Sequence, residues 1–433
     1  MRAASALGPH AATPRHALAQ RLTLRGCQYL GHLTNADKLG TTILDIADPA
    51  KPRIVSQIFL DDPTSHSHKA RVVGDIMIVN SEQNGTPLGR KGEQLASARI
   101  AMQQSLGRAP THKELAERFA IKESDIAMLE EAERNPYEQG GFRIYDVKDK
   151  TKPRLLSFTK TGGKGVHRFD MDANYAYIST EMPGYLGAML VIYDIRNPVK
   201  PEEVSRWWMP GQHTAGGETP SWPGRRYRLH HALRVGDLMW AGCWMGGAYV
   251  IDVSDIRHPK TVGSYNYHPP FVEPTHTFRE MPQLINGKRI AVAIDEEDHT
   301  HGAEEMAKRR GRPHAALWTF DITDVANIKP LAIFEVSELD SPWSRTAPGR
   351  FGAHQFQEHM KGGDTLVYCA WFSGGLRIVD VADPSAPEEV GWYIPEPCGG
   401  KSCPQTNDVD VDDRGLIYVA DRYVGFDIVE FKR

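Results

Sequence analysis

"LRIVDVADPSAPEEVGWY", residues 376–393, is an apolar alternating run closed by Asp380, followed by a polar turn and a second alternating run. Alternation with period two marks a half-buried strand, and an Asp/Pro/Ser cluster marks a turn. The stretch therefore reads as a β-hairpin, and its pattern recurs. "TTILDIADPAKPRIVSQ" starts at Thr41, "GFRIYDVKDKTKPRLLSF" at Gly141 and "LVIYDIRNPVKPEEVSRW" at Leu190. "AYVIDVSDIRHPKTVGSY" starts at Ala248, "LWTFDITDVANIKPLAIF" at Leu317, and "FDIVEFKR" at Phe426 ends the chain. The closing acids are Asp45, Asp146, Asp194, Asp252, Asp321, Asp380 and Glu430. Most lie about 50 to 70 residues apart, room for four short strands, the size of a propeller blade. Unrelated hairpins of a sandwich would not repeat an Asp-turn-Pro signature at that period. The expected fold is all-β: a seven-bladed β-propeller over residues 19–433, with residues 1–18 a flexible tail.

These segments resemble the LVIVD-repeat family of β-propeller proteins, whose motif stands almost literally in "LRIVDVADP". The resemblance covers nearly the whole chain and implies the propeller fold. It implies no particular reaction. One interruption breaks it: the gap from Asp45 to Asp146 is about twice the others. Within it, residues 85–140 change to helical periodicity in "EQLASARIAMQQSL", "THKELAERFA" and "KESDIAMLEEAER". Thr111 with Glu114 forms a capping box. This predicts a small α-helical insertion in the second blade, a lid or a subunit contact through which a homo-oligomer would form. "LGRAPTHKELAERFAIKESDI" is similar to a helix-turn-helix piece of bacterial sigma factors. Its charges are balanced, so nucleic acid is not the expected partner.

Histidines open one strand per repeat. "SHSHKARVVGDIMIVN" supplies His68, "GVHRFDMDANYAYIST" His167, and "LHHALRVGDLMWAGCW" His230 or His231. "EPTHTFREMPQL" supplies His276 and "FGAHQFQEH" His354, while the last repeat offers Asn407 and Asp408. The first repeat has only Gln20 nearby. Innermost propeller strands surround a central channel, so matching positions bring these rings together. Several neutral imidazoles in one semi-enclosed place make a metal site, since imidazole is the commonest metal ligand. The expected ligands are His68, His167, His231, His276 and His354, holding one transition metal ion (Fe, Cu, Zn or Mn). His230 and Asn407 are expected to line the substrate space.

Carboxylates that end strands near the same mouth are candidates to orient a ligand or to act as general base: Glu181, Glu296 and Glu358. Two long connections carry Trp222 and Tyr227, and Trp343 and Arg345, which would line the cavity for a small and possibly aromatic substrate. His32, His299 and His301 are weaker candidates.

The formal net charge of −4 gives no global field for nucleic acid or membrane. No apolar run approaches the ~18 residues of a spanning helix, and the N-terminus lacks a secretory apolar core. Five cysteines form no disulfide framework, which places the chain in the cytoplasm. Three readings stay open: an oxidative metalloenzyme, favoured; a non-oxidative metal-dependent hydrolase, isomerase or lyase; and a non-catalytic interaction propeller.

Overall fold

A computed structural model describes residues 2–6, 23–24, 26–32, 38–84, 90–222, 224–298, 313–346 and 349–432. Gln20, His299 and His301 lie outside them. The paired strands are antiparallel and repeat one four-stranded unit. Ala353–Phe356, Leu366–Trp371, Gly375–Asp380 and Glu388–Tyr393 form one such sheet, in sequence order from its inner edge. Two larger sheets each join two units through a single bridge, Gly165↔Glu82 in one and Trp244↔Thr275 in the other. The C-terminal sheet takes its fourth strand from the opposite end of the chain, with Arg2–Ala6 pairing along Gly425–Glu430.

The repeated Asp has a local cause. Asp45, Asp146, Asp194, Asp252, Asp321 and Asp380 each accept the backbone N–H two residues on. Three residues later Asp48, Asp149, Asn197, Asp255, Asp324 and Asp383 do the same. Two Asx turns in series reverse the chain without help from tertiary contacts. The outer strand then bulges at an aliphatic residue (Val55, Leu156, Val204, Val262, Leu331 or Val390), and a small residue follows. Where that residue is Ser56, Ser157 or Ser205, its hydroxyl donates to a carbonyl of the next unit's turn.

Apolar clusters lie between consecutive units, such as Tyr177, Leu190 and Ile192 against Leu229, Met239 and Ile251. Another cluster joins the ends of the chain, packing Leu30, Leu44 and Ile46 against Tyr418, Phe426 and Ile428. The units therefore form a propeller-like circle. Helices α1 (Arg90–Leu106), α2 (His112–Phe119) and α3 (Glu123–Arg134) interrupt it. They pack on one another through Leu95, Leu115, Ile126 and Leu129. The capping box at Thr111 and Glu114 is present. Among the described residues no helix is long and apolar enough to cross a membrane.

Candidate metal centre

Each inner strand bulges where its histidine stands. Opposite Tyr175–Glu181 the pairing passes from Arg168↔Ser179 to Val166↔Thr180, leaving His167 as the extra residue. The same skip omits His276, His354 and Asn407 from their ladders. In Tyr227–Val235 pairing resumes at His231↔Gly242, so His230 occupies the corresponding place. The Asn80 N–H bonds to the Lys69 carbonyl at 3.4 Å, which puts His68 there too. A bulge bends its strand and re-aims the extra side chain, and bulges gather next to functional sites.

The re-aimed rings form an arc. Centroid separations are 4.6 Å from His66 to His68, 4.9 Å from His68 to His167, and 5.1 Å from His167 to His230. The arc continues at 3.9 Å from His230 to His276 and 4.4 Å from His276 to His354. A carboxylate stands toward each end. Glu82 Oε2 lies 3.0 Å from His66 Nε2 and 2.7 Å from His167 Nδ1. Glu296 Oε1 lies 3.9 Å from His354 Nε2. Two groups bring candidate ligand atoms within 4.8 Å of one another: His66, His68 and Glu82, and His230, His276 and Glu296.

The residue after each bulge points the other way. Arg168 contacts Glu358 at 2.9 Å, His276 Nε2 at 3.0 Å and the Gln355 side chain, and Arg71 also reaches Glu358. His231 Nε2 is 2.9 Å from Glu358 Oε1. Strand alternation thus exchanges the two histidines relative to the sequence-based assignment: His230 joins the arc, and His231 belongs to a buried ion network beneath it. Glu358 is an anion of that network, with both oxygens engaged, alongside Asp170 at 3.8 Å from Arg71.

Hydrogen-bond partners sort the imidazoles by tautomer. His230 donates from Nδ1 to the His276 carbonyl (3.0 Å), so Nε2 keeps its lone pair, buried without a partner. His354 donates from Nδ1 to the Asn407 carbonyl, and His167 from Nδ1 to Glu82. A ring N–H held by a carbonyl or carboxylate is the usual support of a metal-binding imidazole. His276 differs, because its Nε2 accepts from Arg168 and its Nδ1 meets Thr277 Oγ1 at 2.7 Å. His68 differs again. Asn80 takes the Lys69 N–H on Oδ1 and gives an Nδ2 hydrogen to His68 Nδ1, so the proton of His68 sits on Nε2.

Burial keeps the arc neutral. It pushes His68, His230, His276 and His354 well below the ordinary imidazole value, and neighbouring positive charge adds to this. His167 falls to about 4, burial outweighing the attraction of Glu82. Burial alone would raise Glu296, but His354, Arg350 and Arg422 hold it far below the carboxylate range. Groups with a depressed folded value take up protons on unfolding as the pH falls. The imidazoles lose their contribution below about pH 6.5. The turn acids Asp45, Asp146, Asp194 and Asp252, lowered by backbone hydrogen bonds or an arginine, lose theirs below about pH 4. Asp295 and Asp421, raised by burial to about 7 and about 6, act in the opposite sense but are fewer. The thermal midpoint should therefore fall from pH 7 to pH 3, read by circular dichroism; a midpoint that rises would contradict this balance.

A second repeated position rings the same mouth, one residue beyond the second strand's pairing with the residue five before each motif acid. It holds Glu82, Glu181, Trp244, Glu296, Phe372 and Arg422. Trp244 and Phe372 lie 6.0 Å from His230 and 4.8 Å from His354. Arg226 and Arg350 each stack at 3.8 Å on one of those rings, and Arg350 also pairs with Glu296 at 2.9 Å. Glu181 accepts from the Lys164 N–H at 3.3 Å. Trp222 and Tyr227 stack on each other at 4.4 Å in the connection that α1 meets through Ser97 and Gly224. Arg345 is exposed and pairs with Glu338 at 2.6 Å, while the Trp343 N–H bonds to Ser341 in its own turn. His32 bonds to Thr42 Oγ1 at 2.9 Å.

Close packing holds the bulges in place. A Cβ on Gly242 would stand 2.4 Å from the His276 carbonyl oxygen, a backbone atom that cannot swing aside. Gly242→Ala should lower stability by about 1–3 kcal/mol in chemical denaturation. An unchanged midpoint would mean that the bulge at His276 yields freely.

Residues 365–394 match the LVIVD repeat family model, so the chain carries an LVIVD repeat. None of the curated proteins matches it. Among solved structures, a putative 6-phosphogluconolactonase from Bacteroides uniformis is similar at 12% identity, covering 91% of this chain and 88% of that one, with TM-score 0.52. A putative 6-phosphogluconolactonase from Bacteroides fragilis is similar at 11% identity, covering 94% and 88%, with TM-score 0.50. A chain of a mitotic checkpoint complex is similar at 9% identity, covering 97% and 91%, with TM-score 0.52. At these identities the likeness is one of fold, a β-propeller.

Proposed function

We propose that the protein is a metal-dependent enzyme: a seven-bladed β-propeller that holds one transition metal ion at the channel mouth through His167, His230, His354 and Glu296. The observation that carries this reading is the buried, partnerless Nε2 of His230, whose ring is oriented by a carbonyl and flanked by His167 and by the His276 ring that touches His354. A lone pair buried without a partner is unfavourable, and a cation satisfies it. The Glu82 end suits a cation less well. The His68 proton, placed there by Asn80, blocks its Nε2.

Neutral imidazoles with one carboxylate suit iron, manganese, copper or zinc and leave positions open for a substrate. Oxidation of a small organic molecule is the first reading, and such a metal would supply the redox or Lewis-acid chemistry. The chain's own residues orient and enclose: Glu82 and the Asn407 carbonyl fix the rings of His167 and His354, Trp244 and Phe372 wall the mouth, and Arg350 positions Glu296. The helical insertion in the second blade, resting on the Trp222 connection, serves as a lid. Metal-dependent hydrolysis is the second reading, favoured by the two putative 6-phosphogluconolactonases that share the fold. The five free cysteines suit a reducing compartment, the cytoplasm. Metal-free protein should be loaded separately with Fe(II), Cu(II) and Zn(II). Tight, spectroscopically perturbed binding of iron or copper supports oxidation, preferential zinc binding supports hydrolysis, and failure to bind any of them refutes the proposal.

A further inference from the structure

Beneath the His354 end of the arc some polar groups lack partners. Arg422 is anchored through Nε to Asn407 Oδ1, and among the described residues no carboxylate oxygen lies within ion-pair distance of it. The Asn407 side chain is fully buried, and its Nδ2 has no hydrogen-bond partner. Phe372 lies 5.3 Å from the Arg422 guanidinium and 3.8 Å from that of Arg350. Arg350 spends its own charge on Glu296. The partly exposed Arg422 guanidinium and an unpaired amide N–H thus meet beside His354. A buried N–H without a partner is unfavourable, and donors oriented toward one place form a cradle for an oxyanion.

We infer that Arg422 and the Asn407 Nδ2 group form an anion site, which takes a carboxylate or phosphate of the substrate and holds the rest of the molecule against His354. This inference deepens the metalloenzyme reading by naming the substrate class, yet it rests on different side chains. The position also explains why the last repeat carries Asn407 where the others carry histidine: an amide supplies a carbonyl to Arg422 and still has an N–H to offer.

The test uses full-length protein titrated with inorganic phosphate and, separately, with malonate, following thermal unfolding and heat of binding. Saturable binding that raises the midpoint, with at least about tenfold weakening in Arg422→Gln, is the expected result. Preference for phosphate over malonate, or the reverse, identifies which oxyanion the substrate carries. Binding that is unchanged in Arg422→Gln, or no saturable binding at all, overturns the inference. Metal content measured on the same samples keeps the two proposals separate, because a metal-loaded protein that ignores both anions loses only this one.

Discussion

Replacing His230 by alanine should weaken binding of Zn(II) or Co(II) by more than about 100-fold, measured by competition with a chelator, while far-UV circular dichroism stays as in the parent. The lower bound follows from chemistry one step removed: deleting a group that merely orients a metal-bound histidine already costs 10–100-fold, so deleting the ligand exceeds it. His230 is the residue to change because its Nε2 is partnerless, so its loss breaks no hydrogen bond made by that atom. His231→Ala is the control. Its Nε2 faces Glu358 below the arc and only its Nδ1 approaches His230, at 3.0 Å, so it should affect stability and weaken metal binding less than His230→Ala does. The reverse pattern would restore the sequence-based assignment of the pair.

Glu358→Gln should produce the largest loss of stability, about 3–5 kcal/mol in denaturant titration, the range for breaking a buried ion pair from one side. Glu358 oxygens meet Arg168 at 2.9 Å, His231 at 2.9 Å and Arg71. Neutralising it leaves two buried guanidiniums with too little negative charge. Metal affinity at low temperature should persist, since no proposed ligand is touched. A stable variant that binds metal and has lost only catalysis would instead make Glu358 the base that its place four residues after His354 suggests.

The circular architecture was legible because its signals are local. Asp380 and Asp383 announce two Asx turns by their spacing, and the same pair recurs at Asp45 and Asp48 through Asp321 and Asp324. The histidine row was legible too, but not its exact register. A bulge has no propensity signature, and one extra residue in Tyr227–Val235 decides whether His230 or His231 enters the arc. His66, Glu82, Trp244 and Phe372 escaped notice for a related reason. Each looks ordinary in its own strand or turn, and only cross-strand pairing reveals the shared position at the mouth. Signals survive for some of them: His66 stands two residues before His68, and Glu82 three before the insertion at 85–140, once the repeats are aligned on their motif acids. Arg345, by contrast, sits beside an aromatic in sequence but pairs with Glu338 on the surface.

Elemental analysis of untagged protein, isolated without added metal and compared with His230→Ala and His354→Ala, tests the central claim most directly. The account predicts close to one equivalent of a single transition metal per chain, lost in both variants while their folds persist. Parent protein that is folded, metal-free and unable to take up iron, copper or zinc would contradict it and leave the imidazole arc as packing.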